Sequence, residues 1–215
     1  MGRESAERAV ALADRHPGVF CAVGVHPHDA DGYTPADDRW MRELAAHPKT
    51  VAVGECGLDF YRDHSAPAAQ RRAFSAQIAL AREVGLPLVI HSREATADTL
   101  ATLESEAEDH PVVLHCFSMP DRVAEVAQRG YWTSFAGQLT YRRAEDLQAA
   151  ARQLPAERLL VETDSPYLAP VPRRGRPNRP VNVLHTLEFL AGLRDVEARE
   201  MDDLTTGNAE RVFGL

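Results

Sequence analysis

The chain has 215 residues, 44% of them hydrophobic, and a net charge of −8, which allows one substantial core and excludes disordered and fibrous classes. No apolar run nears the roughly 18 residues that span a bilayer, and the charged start, Met1-Gly2-Arg3-Glu4, has no apolar stretch of a secretory signal. Three scattered cysteines, Cys21, Cys56 and Cys116, are no disulfide framework and suit a reducing, cytoplasmic setting, while the acidic balance argues against holding nucleic acid by bulk charge and leaves open a substrate held locally by metals and a few arginines.

In chain order, residues 4–16 read as a helix with no strand before it. Residues 19–25 and 51–55 read as strands, 67–84 as a helix stopped by Gly85-Leu86-Pro87, and 88–91 as a strand. A helix over 94–108, a strand over 112–115 and a helix over 121–129, stopped at Gly130, follow. Then come a strand over 132–135, a helix over 142–153 and a strand over 159–163. A Pro/Arg-rich loop, 169–180, leads to helices near 181–192 and 196–204. The strands are near-continuous apolar runs, as parallel strands covered on both faces require. This alternation predicts an α/β fold, barrel or doubly wound. Six strands are visible where a closed (β/α)8 barrel of about 250 residues has eight. There is no internal repeat and no linker.

Polar residues recur where the strands finish. Glu55 ends Val51-Ala52-Val53-Gly54-Glu55, His91 ends Leu88-Val89-Ile90-His91, and His115 ends Val112-Val113-Leu114-His115. Asp164 follows the strand over 159–163, and His26 and His28 follow Val23-Gly24-Val25. In parallel α/β folds the strand C-termini share one face, so residues distant in sequence converge there. Histidines with carboxylates are the donors of a divalent-metal site, imidazole suiting Zn²⁺ and carboxylate also admitting Mg²⁺ or Mn²⁺. A single histidine at a strand end is more often an ordinary hydrogen-bonded polar residue; several in register are harder to dismiss. Glu162 is at most an orienting neighbour. Cys56, Cys116 and Phe117 read as packing residues, and His16, His47, His64, His110 and His185 as ordinary loop or helix-end residues.

Gly24-Val25-His26-Pro27-His28, Gly54-Glu55-Cys56-Gly57-Leu58-Asp59, His91-Ser92-Arg93, His115-Cys116-Phe117-Ser118 and Glu162-Thr163-Asp164-Ser165-Pro166-Tyr167-Leu168 together resemble the signature series of the TatD family of metal-dependent deoxyribonucleases. The closing Thr206-Gly207-Asn208 with Phe213 resembles the family's C-terminal helix. The resemblance implies an amidohydrolase-type (β/α)8 barrel with up to two divalent cations and DNA as substrate, cleaved from the 3′ end of single strands. No membrane and no obligatory protein partner are expected from the sequence. By motif match Glu55 bridges the metals, His91 and His115 bind one, Asp164 binds the other and helps orient the attacking water, and His26 or His28 lies near the scissile phosphate. Arg62, Arg93, Arg173, Arg174 and Arg176 are the expected phosphate contacts, with Arg179 in the same loop, and Tyr167 an expected base contact.

The family's N-terminal strand carries a His-x-His pair that has no counterpart here, so the expectation is a single domain over 1–215, a barrel incomplete at its N-terminus, with about six of eight strands. Three explanations stand: a true start upstream of Met1, a shortened relative with a weakened site, or an inactive barrel. Met119 and Arg179 also stand where the family often has Gly and Glu. Hydrolysis of an amide or ester is the alternative chemistry.

Overall fold

Short buried strands alternate with longer helices throughout the computed structural model, which describes residues 2–62 and 64–215. The chain falls into two units, Met1–Val113 and Leu114–Leu215. Among the described residues no helix is long and apolar enough to cross a membrane.

The first unit holds α1 (Arg3–Arg15), β1 (Cys21–Val23), α2 (Pro35–Ala45), β2 (Thr50–Asp59), α3 (Pro67–Val84), β3 (Leu88–Arg93) and α4 (Thr96–Glu106). β1, β2 and β3 pair in parallel, in sequence order. β1 is shorter than the apolar run suggested, because Val19 and Phe20 are more than a third exposed and have no face to bury; Phe20 instead lies 4.4 Å beneath the Lys49 ammonium. The sequence reading does not anticipate α2, although its start signal is present. Thr34 and Asp37 form a capping box around Pro35 at the first turn, with the Thr34 N–H donating to Asp37 Oδ2 at 2.8 Å. Trp40, Met41 and Ala45 on its inner face join Val10, Ala13, Val23 and Leu80 in one core cluster. Burying side chains such as Met41, Val10, Val23 and Leu80 stabilises by roughly 1.5–3 kcal/mol each, and an alanine methyl by about 0.8 kcal/mol.

β2 does not stop at Glu55. It runs to Asp59, with a register shift between Gly54 and Cys56 that leaves Glu55 in a bulge opposite β3, the kind of irregularity that re-aims a side chain. Beyond it, Gly57 (φ +133°) pairs with His91, and a Cβ there would sit 2.1 Å from the His91 carbonyl oxygen. Only glycine lets β2 lie this close to the backbone that carries the histidine. α3 keeps its expected bounds and buries two glutamines against strand ends. The Gln77 amide is bidentate to Val25 (2.7 and 3.0 Å) and the Gln70 amide bidentate to Asp59 (2.8 and 2.9 Å).

β4 (Val112–Leu114) lies at the boundary between the units. The second unit holds α5 (Val123–Gln128), β5 (Trp132–Phe135), α6 (Glu145–Gln153), β6 (Leu159–Val161), α7 (Val183–Leu193) and α8 (Ala198–Phe213). β5 and β6 pair in parallel, Thr133 opposite Leu159 and Phe135 opposite Val161. Arg194 donates to the carbonyls of Ala151, Arg152 and Leu154 at 2.7–3.2 Å and so satisfies the orphan carbonyls that end α6. α8 extends past the expected stop at residue 204, and its Asn208 amide donates to Ala156 and Leu159 carbonyls at 2.9 and 2.8 Å, tying the helix to the start of β6.

Candidate metal centre

In the first unit the sequence-predicted residues converge at the carboxyl ends of β1, β2 and β3. His91 Nδ1 lies 2.7 Å from Glu55 Oε1, and His26 Nε2 lies 3.5 Å from the same oxygen. His91 Nε2 lies 3.0 Å from Asp59 Oδ2, which His28 Nε2 also approaches at 2.8 Å. His26, His28 and His91 each offer a ring nitrogen, these atoms lying within 4.8 Å of one another. His26 Nδ1 accepts the His28 backbone N–H at 3.1 Å, which leaves its Nε2 as the atom turned toward Glu55. His64, read from sequence as ordinary, has its ring centroid 4.7 Å from that of His28.

Asp59 is fully buried and stands out in the sequence only as the end of a motif. Burial pushes its carboxyl up, but the Arg62 backbone N–H, His28 and His91 outweigh that and hold it at about 2. Its Oδ1 also accepts the backbone N–H groups of Tyr61 and Arg62 at 3.0 and 2.9 Å. The signal for it was the strand period: counting back by two from Asp59 reaches Gly57 and Glu55. Burial lowers the His28 pKa, with the Asp59 hydrogen bond working against it and the neighbouring His26 and His64 adding to it.

The charge logic tests whether a cation fits. His91 has a carboxylate on each ring nitrogen, Glu55 at 2.7 Å and Asp59 at 3.0 Å, and His26 Nε2 adds a second imidazole to the same Glu55 oxygen. Carboxylates gathered around imidazoles concentrate negative charge that a cation would offset. Histidine held by a carboxylate on its far nitrogen is also how metal-ligating imidazoles are generally oriented. The donor set therefore fits a divalent ion.

The second unit brings His115, Glu162 and Asp164 together. His115 Nδ1 lies 2.9 Å from Glu162 Oε1 and 3.0 Å from Oε2. The hydrogen bond goes to Oε2, and Oε1 is buried without a hydrogen-bond partner. His115 Nε2 faces Asp164 Oδ1 at 4.0 Å, too far for a hydrogen bond, and both atoms are donors of the kind a divalent ion takes. Cys116 (φ +45°) and Asp164 (φ +53°) sit in the left-handed region, tolerable for Asp and uncommon for Cys. The loop after Asp164 is held by Asn178, 4% exposed, which donates to the Thr163 carbonyl at 2.8 Å and accepts from Asn182 at 2.9 Å.

The expected substrate contacts are found in both units, and within the second unit the loop arginines do not form one group. Arg93 stacks 3.9 Å over the Tyr61 ring, with Arg62 5.6 Å from it. Arg173, Arg176 and Arg179 line one cavity of about 470 Å³, whereas Arg174 turns to a different one, stacked 4.1 Å over Tyr141. Tyr167 is 69% exposed, so it packs no core. Cys56 and Phe117 are buried, and Phe117 meets Phe135 edge to face.

The model of TatD related DNases matches residues 1–214. The chain is 39% identical to the metal-dependent hydrolase YabD of Bacillus subtilis over 99% of its own length and 84% of the relative's. It is also 39% identical to the 3'-5' ssDNA/RNA exonuclease TatD of Enterobacter lignolyticus, covering 97% of this chain and 83% of that one. The crystal structure of YJJV, a TatD homologue from Escherichia coli, superposes with a TM-score of 0.93 at 28% identity, over 99% of this chain and 83% of the other. With parallel strands ending on these donors and this likeness along its length, the chain is an α/β protein of the (β/α)8 type and belongs to the family of TatD-related DNases.

Proposed function

We propose that the chain is a divalent-metal-dependent nuclease that hydrolyses phosphodiester bonds of single-stranded DNA from the 3′ end. The observation that carries this reading is His91, held by buried Asp59 on one nitrogen and turned with the other onto Glu55. Relatives named as 3'-5' ssDNA/RNA exonucleases support the substrate class. Glu55 and His91 are the metal ligands of the first unit, with His26 Nε2 beside them; His115 and Asp164 are those of the second. The family model's run across both units supports reading the chain as one hydrolase domain, and three free cysteines support a cytoplasmic setting.

When bound, the cation neutralises phosphoryl charge and acidifies water. The chain's own residues do the rest. Asp59 holds the His28 and His91 rings in place. Asp164, partly exposed, is the carboxylate positioned to orient the attacking water and accept its proton. His26 Nε2 lies 3.5 Å from Glu55 Oε1 and suits a phosphate oxygen. Arg62, Arg93, Arg173 and Arg176 present exposed guanidinium groups for flanking phosphates.

The test is cleavage of a 5′-labelled single strand with Mg²⁺, Mn²⁺ or Zn²⁺. The expected result is a ladder shortening from the 3′ end, abolished by chelator and by Glu55→Ala. A wild-type chain that binds metal and leaves the strand whole under all three ions would overturn the reading.

A further inference from the structure

The second unit carries a basic groove that the metal-centred reading does not use. Gln138, Tyr141, Arg142, Arg143, Ala144 and Arg174 line a cavity of about 490 Å³. All three arginines are exposed. Among the described residues none of them has a carboxylate partner, unlike Arg122 and Arg129 in the same unit, which share Glu125. Three unpaired guanidinium groups around one cavity reverse, locally, the sign of a chain with net charge −8. Such a patch is selected by an anion with several charges, and the planar guanidinium fork matches phosphate oxygens.

The groove is preformed. Thr140 Oγ1 accepts the Val171 N–H at 2.9 Å and the Tyr141 hydroxyl donates to the Ala169 carbonyl at 3.1 Å. Gly137 lies so close to the Leu168 carbonyl oxygen that a Cβ would stand 2.0 Å from it. From the other side the Gln148 amide donates to the Leu139 and Tyr141 carbonyls at 3.0 and 3.1 Å. The segment carrying Arg142 and Arg143 and the segment carrying Arg174 are therefore pinned to each other before any ligand arrives, which reduces the ordering that binding must supply. The groove also adjoins the reactive residues. Gln138 Nε2 lies 3.0 Å from Cys116 Sγ, and Cys116 follows His115 in the chain. Gln138 Oε1 is buried with no hydrogen-bond partner.

We infer that this groove is a subsite for the backbone of a single nucleic-acid strand, in which Arg142 and Arg143 take phosphates away from the scissile one and Arg174, backed by Tyr141, takes a third. The inference rests on the nuclease reading and extends it to substrate length: strands that reach the groove bind better than those too short to do so.

The experiment measures binding of a labelled oligo-dT of about 12 nucleotides to the full chain by fluorescence anisotropy, with chelator present to prevent cleavage, across roughly 50–200 mM salt. Arg142→Ala/Arg143→Ala is expected to weaken binding by about 10–100-fold at the low end and to flatten the salt slope by about 1.4, or ~0.7 for each phosphate left without its arginine. Arg142→Lys/Arg143→Lys is expected to keep the slope, and a trinucleotide to bind all three proteins alike. Equal melting temperatures show that the exposed substitutions left the fold intact. An Ala pair with wild-type affinity and slope, in a wild-type protein that does cut DNA, overturns the groove alone. Polyglutamate competing as well as oligo-dT at equal charge overturns it in favour of an acidic peptide. A wild-type chain that neither binds nor cuts the strand removes the nuclease reading and the groove with it.

Discussion

His91 and His115 meet a carboxylate in the same way, through Nδ1, at 2.7 Å from Glu55 and 2.9 Å from Glu162. They differ in what holds the other nitrogen. His91 lies inside β3, and its Nε2 rests on Asp59, which is fully buried and takes two backbone N–H groups besides two imidazoles. His115 stands just past the end of β4, and its Nε2 looks across 4.0 Å at Asp164, whose side chain is 32% exposed on a backbone at φ +53°. The first histidine is oriented by a strand ladder and a buried anion before any ion arrives. The second stands between loops, held through Nδ1 by Glu162, and the carboxylate facing its other nitrogen is about a third exposed.

Removing the histidines themselves breaks the comparison most directly. His91→Ala is expected to lower chelator-sensitive cleavage of single-stranded DNA by roughly a thousandfold, and His115→Ala by roughly a hundredfold; equal losses in kcat/KM would mean that the difference in support has no functional weight. Next comes the backbone that supports the second unit's loops. Gly137→Ala places a Cβ 2.0 Å from one backbone atom and 2.7 Å from another, where neither can yield as a side chain would. A loss of about 3 kcal/mol in urea unfolding is expected, and a loss under about 0.5 kcal/mol would show that the loops relax freely.

Carboxylates that hold the proposed ligand histidines sharpen the contrast. Asp59→Asn keeps the shape and loses the charge that two imidazoles share, so metal affinity by titration calorimetry should fall by about 10–100-fold. Glu162→Gln touches one imidazole and should fall toward the lower end of that range. The opposite ranking would place the better-oriented ligand in the second unit.

The smallest effect is on pH. Burial lowers the His110 pKa, only partly offset by its 2.8 Å hydrogen bond to the Leu86 carbonyl. Because the folded value lies below the ordinary ~6.5, the unfolded chain binds the proton more readily. Stability is then full above about 6.5 and declines as pH falls below it. His110→Gln retains a donor without the titration, and its melting temperature should fall less than that of wild type between about pH 7 and 5.

What was legible in the sequence was the part written in apolar periodicity. The strand over 132–135 and the helix over 67–84 have their expected bounds, and the histidine-and-carboxylate endings of the strands were visible because each interrupts an apolar run. Glu55 shows where that logic stops. Ending the strand at the first charge is sound for a regular ladder, but a bulge and Gly57 carry β2 four residues further, and Asp59 lies in that extension. Burial of a carboxylate cannot be read from composition, since it depends on donors that arrive from Tyr61, Arg62, His28 and His91. The Arg-rich loop looked like one cluster because sequence distance ignores which way each side chain turns; Arg174 faces Arg142 and Arg143, about thirty residues earlier in the chain.

The two glutamines of α3 have a consequence for the protein in storage. Gln70 spends both amide hydrogens on the Asp59 and Ser65 carbonyls, and Gln77 spends both on the Val25 and Ala73 carbonyls, while each oxygen accepts a backbone N–H. Slow hydrolysis of either amide to a carboxylate would set an anion against two carbonyl oxygens in a dry interior. Such a lesion would add almost no mass and leave the chain length and the histidines unchanged, so it would show as a lower melting temperature and not as a change in the chain's size.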